Sequence, residues 1–128
     1  MIQSVAGVLI RDGRILLARR KAGGDMGGRW ELPGGKCEGR ETLEAALVRE
    51  FQEEFRIRVS VGLPCAETRF LHHGKPHQVS AFHIETSGRF DQLLEHDEVA
   101  WFSLDALPPR ATLVDSDAEL LDQLAAGK

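Results

Sequence analysis

Six consecutive residues hold Arg49, Glu50, Glu53 and Glu54, one guanidinium beside three carboxylates. On an α-helix, positions 50, 53 and 54 stand at i, i+3 and i+4, so these carboxylates leave one face about one turn apart. Like charges that close repel unless they are neutralised. A hard divalent cation does this, since Mg²⁺ takes oxygen ligands, uses few protein carboxylates and keeps positions for water and substrate phosphate. The same spacing also decorates solvated helix faces, and the acidic triplet alone does not separate the two readings.

The element that must carry these residues is legible. Leu43, Leu47, Phe51 and Phe55 recur at every fourth position with Val48 beside them, and residues 42–55 contain neither Gly nor Pro. That spacing predicts a helix with one apolar face and an adjoining acidic face, with Thr42 as N-cap and Glu44 in the first turn. Ahead of it, apolar residues 4–10 and 14–18 flank Asp12-Gly13 and predict two antiparallel strands joined by a tight turn. Residues 21–28 carry four glycines and read as a mobile loop. Residues 30–32 form a short extended piece stopped by Pro33-Gly34-Gly35. Residues 57–61, 66–71 and 78–86 read as further strands, the last two joined by a turn over residues 72–76. A short strand at 99–102, one helical turn at 103–107 before Pro108-Pro109, and a helix over 116–126 complete the pattern. Strands around a central helix, with a second helix at the end, predict an α/β (α+β) sandwich with a mixed sheet covered on both faces.

Bulk properties narrow the classes. The 128 residues suit one domain, 1–128, large enough for a real core. A net charge of −4 argues against polymeric nucleic acid as partner. Cys37 and Cys65 lie in no metal-type spacing, so neither a disulfide framework nor a zinc site is expected, and a reducing compartment fits. No apolar run approaches the ~20 residues of a membrane span, and no leader-like segment opens the chain. A cytoplasmic, soluble protein is expected. No heptad seam marks an interface, so monomer and dimer stay open.

Beyond the helix, Gly35, five residues, Glu41, seven residues, then Arg49-Glu50-Phe51-Gln52-Glu53-Glu54 and Ile57 span twenty-three positions. This pattern resembles the signature box of the Nudix hydrolases. The likeness extends to Trp30-Glu31-Leu32-Pro33-Gly34-Gly35-Lys36, to Arg19-Arg20 and to Glu95-His96-Asp97-Glu98 followed by Trp101-Phe102-Ser103-Leu104, as in the MutT-like branch. It implies the Nudix-type α/β/α sandwich and hydrolysis of a nucleoside diphosphate linked to a group X, by attack of water on phosphorus. It also implies Mg²⁺, with Mn²⁺ as substitute, on Glu50, Glu53, Glu54, the Gly34 carbonyl and Glu95. Arg49 would orient these carboxylates with support from Glu41, and either Glu53 or Glu95 would serve as general base, Glu53 being favoured. Arg20, Arg19 and Lys36 are candidates for gripping phosphates.

Two departures stand out: Arg56 occupies the usual glycine just past the helix, and Arg40 another in the preceding loop. A non-glycine residue at φ > 0 costs on the order of 1 kcal/mol, so the helix is expected to end another way. The branch implies a nucleoside triphosphate, normal or damaged, cleaved to monophosphate and pyrophosphate. The base-reading asparagine that follows the double proline in the oxidised-guanine enzyme is absent, since Arg110-Ala111-Thr112 stands there, which weakens the case for 8-oxo-dGTP. Dinucleotide polyphosphates and nucleotide sugars are alternative substrates. A module that binds nucleotides without cleaving them is the competing class. The five histidines, His72-His73 among them, receive no role, and Trp30 and Trp101 read as packing residues.

Overall fold

The computed structural model describes residues 1–127. In chain order it contains β1 (Ile2–Val8), β2 (Ile10–Arg11), β3 (Arg14–Arg20), β4 (Trp30–Glu31), β5 (Gly34–Lys36), α1 (Leu43–Phe55), β6 (Ser60–His72), β7 (Lys75–Glu85), β8 (His96–Ser103), a 3₁₀ turn at Arg110–Thr112, and α2 (Asp115–Ala126). One four-stranded sheet runs β5-β1-β7-β6 and is mixed, with β1 and β7 parallel and the other pairs antiparallel. In the second, β3 pairs with β8 and also with both β2 and β4.

Alternation along the strands builds a core on each face. Val5, Leu16, Ala18, Phe82 and Ile84 pack with Ala46, Leu47, Phe51 and Phe55 of α1. Their sequence neighbours Ala6, Val8, Ile15, Leu17, Val79 and Ala81 pack on the other side with Ala118, Leu120 and Leu121 of α2. The sheets are thereby sandwiched between the two helices, the expected α/β/α arrangement. Among the described residues no helix is long and apolar enough to cross a membrane.

Several expectations need correction. Asp12 and Gly13 do form the tight turn, both at positive φ, but the hairpin they close involves only β2 and the start of β3. β1 leaves for the other sheet because Val5–Val8 is buried on both sides, as suits a central strand with partners at each edge. Gly34–Lys36 is not a stop but a strand paired to β1, and it needs glycine there: a Cβ on Gly34 would sit 1.9 Å from the Val5 carbonyl oxygen. The strands expected at 57–61 and 66–71 are one edge strand, β6, whose register slips on both sides of Pro64. A bulge on an edge accommodates proline, which has no N–H to give a ladder. The turn to β7 is tighter than expected, with His73 and Gly74 both at positive φ. Residues 103–107 make a turn, Ala106 N–H donating to Ser103 O at 3.0 Å, rather than a helical turn. Val48 lies off the buried face of α1.

Candidate active site

Helix α1 starts where Thr42 caps it, the Ala45 N–H donating to Thr42 Oγ1 at 3.1 Å. It ends at Arg56, which takes the left-handed conformation at φ 55° and ψ 37°, its N–H reaching the Gln52 carbonyl at 3.0 Å. Against expectation, arginine ends the helix in the glycine-like way. The strain of that conformation is kept because Phe55 and Ile57 on either side are buried in the core and fix the path of the chain.

Between these ends, Arg49 is the hub. Its Nε and Nη2 donate to the two oxygens of Glu41 at 2.7 and 3.0 Å, a bidentate pair. Nη1 donates to Glu50 Oε1 at 3.0 Å and to Glu53 Oε1 at 2.9 Å, while Nη2 also reaches the Lys36 carbonyl at 2.9 Å. Glu41 takes a further bond from the Glu38 N–H at 2.8 Å. Its carboxyl is accordingly held below the usual range, first by Arg49 and then by Glu38. A lysine could not make this planar fan of contacts.

Glu54 has a different environment. It is 5 % exposed, and burial, reinforced by Glu50 and more weakly by Glu31 and Glu95, pushes its pKa up to about 10. Its Oε1 is buried without a hydrogen-bond partner. Gly35 makes room for the neighbouring carboxylate, since a Cβ there would stand 2.5 Å from the carboxyl carbon of Glu50. Hard oxygens, one of them orphaned, fit a hard divalent cation by the chemistry of the donors. Among the described residues no ready cluster of three metal-ligating side chains is formed. Glu50 and Glu53 are instead engaged by Arg49 Nη1. Glu95 is exposed and immediately precedes β8, near enough for its charge to raise Glu54.

Beside the acidic helix a cleft of about 950 Å³ opens over β5, β1, β7 and β6 and is bounded by β4 and the start of α2. Gly34, Gly35, Lys36 and Arg20 line it. Arg19 does not: its Nε donates to Asp97 at 2.8 Å, and its guanidinium lies 5.7 Å from the centre of the Trp30 ring. Two cleft residues were missed by sequence reasoning. Asp117, in the first turn of α2, is 6 % exposed, and burial first, then Glu31, raises its carboxyl well above the ordinary range. Glu31 lines the cleft and bonds Arg20 at 3.1 Å. With Asp115, Glu119 and Asp122 in the same helix, no signal in the sequence singled out Asp117. Cys37 and Cys65 are both free thiols.

Comparison with known proteins gives the class to which this fold and site belong. Residues 1–124 match the NUDIX domain, and the chain belongs to that family. It is a hydrolase of phosphoanhydride bonds in nucleotides, in a family that generally uses divalent metal ions. The CTP pyrophosphohydrolase of Escherichia coli is 40 % identical over 103 residues, covering 80 % of this chain and 76 % of that protein. The 8-oxo-dGTP diphosphatase of Proteus vulgaris is 48 % identical over 56 residues, covering 43 % of this chain and 50 % of the relative. The solution structure of the E. coli ORF135 protein superposes with a TM-score of 0.85 at 37 % identity, over 98 % of this chain and 89 % of that one.

Proposed function

We propose that this enzyme converts a nucleoside triphosphate to monophosphate and pyrophosphate, with CTP as the preferred substrate, in the cytoplasm. The observation that carries the reading is the Glu50 carboxylate of α1 packed against Gly35, a residue that itself lines a cleft of about 950 Å³. Mg²⁺, replaceable by Mn²⁺ and held by Glu50, Glu53, Glu54, the Gly34 carbonyl and Glu95, would neutralise phosphate oxyanions and ease attack at phosphorus. Arg49, locked by Glu41, neutralises part of the repulsion between Glu50 and Glu53 by donating to both from one nitrogen, and so orients them on the helix face. Glu53, the most exposed of the three box carboxylates, accepts the proton of the attacking water. Lys36 and Arg20 attract the phosphate chain from the floor and wall of the cleft.

The choice of base rests on Asp117. Burial raises the Asp117 carboxyl well above its ordinary range, and in its protonated form that group offers one acceptor and one donor, which match the N4 amine and N3 of cytosine. Guanine and 8-oxoguanine present two adjacent donors on that edge and call for a carboxylate instead. The wider coverage of the CTP-cleaving relative supports the same choice. Steady-state turnover of CTP, UTP, dGTP and 8-oxo-dGTP with Mg²⁺ tests it: kcat/KM should be highest for CTP, and a higher value for 8-oxo-dGTP would sink the assignment of the base.

A further inference from the structure

His96 is almost fully buried, at 3 % exposure, between the cleft and the acidic helix. On one side its Nε2 lies 2.7 Å from Glu31 Oε2, and the other oxygen of that carboxylate holds Arg20 at 3.1 Å. The imidazole stacks flat on Phe55 of α1, with centroids 5.5 Å apart and planes within 5°. Its remaining nitrogen, Nδ1, faces Glu54 Oε1 at 3.8 Å, and these two buried atoms share the property of having no hydrogen-bond partner. Buried polar atoms are nearly always paired, and 3.8 Å is beyond a hydrogen bond, so the two sit one short movement from satisfying each other.

We propose that His96 is a positioning residue through which the pair of Arg20 and Glu31 in the cleft holds the carboxyl group of Glu54. The inference rests on the metal-dependent nucleotide reading above. Arg20 and His96 bind different oxygens of Glu31, so Arg20 steadies Glu31 and Glu31 steadies the ring from the cleft side, while Phe55 fixes its plane. A movement of about 1 Å of the Glu54 side chain toward the ring brings its carboxyl group into hydrogen-bonding range of Nδ1 and sets its orientation. Residues that orient metal ligands in this way typically account for about 10- to 100-fold in metal affinity or activity.

The test measures Mn²⁺ binding to the nucleotide-free protein by electron paramagnetic resonance, beside kcat and KM for CTP. His96→Phe retains the stack on Phe55 and removes both nitrogens. It should keep cooperative unfolding, raise the Mn²⁺ dissociation constant about 10- to 100-fold and lower kcat at sub-saturating Mg²⁺, with KM moved less than about threefold. His96→Asn, which returns one polar nitrogen, should recover part of the loss. Glu31→Leu should weaken Mn²⁺ binding in the wild-type background and have no further effect in His96→Phe, because both act through one ring. A folded His96→Phe with wild-type Mn²⁺ affinity and kcat overturns the proposal, as do effects of the two substitutions that simply multiply. Should His96→Phe fail to fold, Glu31→Leu decides: weakened Mn²⁺ binding supports the relay and unchanged binding overturns it. Wild-type protein that neither binds Mn²⁺ nor turns over any nucleotide would remove the hydrolase reading along with it.

Discussion

Replacing Glu54 by glutamine tests what burial does to the acidic helix. Glu54 is 5 % exposed, and with its pKa raised from 4.5 to about 10 it keeps its proton in the native state across neutral pH. The unfolded chain has released that proton above about pH 4.5, so native protein binds more protons there than unfolded protein, and stability falls as pH rises toward about 10. One proton corresponds to about 1.4 kcal/mol per pH unit, or about 2.7 kcal/mol between about pH 6 and pH 8. Glu54→Gln keeps the shape of the neutral acid and has nothing to titrate. In metal-free buffer its advantage over the wild type should therefore grow by about 2–3 kcal/mol over that interval. Asp117 is common to both proteins and cancels in the difference. Added Mg²⁺ should reverse the order, because a ligand at about 100 times its dissociation constant stabilises by about 2.7 kcal/mol and glutamine forfeits an anionic ligand. Urea unfolding at several pH values, with EDTA and with Mg²⁺, reads both effects. Parallel pH profiles for the two proteins would refute the account of Glu54 as a carboxyl held neutral by burial.

Other outcomes follow from the same contacts. Arg49→Lys cannot hold Glu41 in a bidentate pair while also reaching Glu50, Glu53 and the Lys36 carbonyl, so kcat should fall about 100-fold with the fold intact; wild-type kcat would contradict the hub. Gly35→Ala forces a methyl against the Glu50 carboxylate and should depress kcat at fixed Mg²⁺ far more than it lowers Tm, as calorimetry beside kinetics will show. Arg56→Gly relieves left-handed strain but loosens the unfolded chain, so urea unfolding should show a gain of no more than about 1 kcal/mol. Asp117→Asn preserves one donor and one acceptor and should keep CTP turnover within about tenfold, whereas Asp117→Leu should raise KM for CTP by about 100-fold.

The parts of the fold written in local periodicity were legible in the sequence. Thr42 and the fourfold recurrence of Leu43, Leu47, Phe51 and Phe55 locate α1 to the residue, and the C-terminal helix begins one position before its expected start. Pairing partners were not legible, because nothing near Val5–Val8 records that β7, some seventy residues later, lies parallel to it. The same limit hid His96. Its burial depends on β8 beginning three residues earlier than its apolar core suggests, and its partners Glu31 and Glu54 come from β4 and α1. Asp117 looked like another surface acid in a helix rich in them. Arg49 was legible as an organiser of carboxylates, but its hold on the Lys36 carbonyl and on both oxygens of Glu41 required the loop before α1 to fold back across the helix.

Product analysis of CTP incubated with the purified protein, by phosphorus NMR with Mg²⁺ and again with EDTA, tests the central claim most directly. CMP and pyrophosphate should appear in equal amounts with Mg²⁺ and not with EDTA. Release of CDP and orthophosphate, or no cleavage of CTP or any other triphosphate with either Mg²⁺ or Mn²⁺, would contradict it.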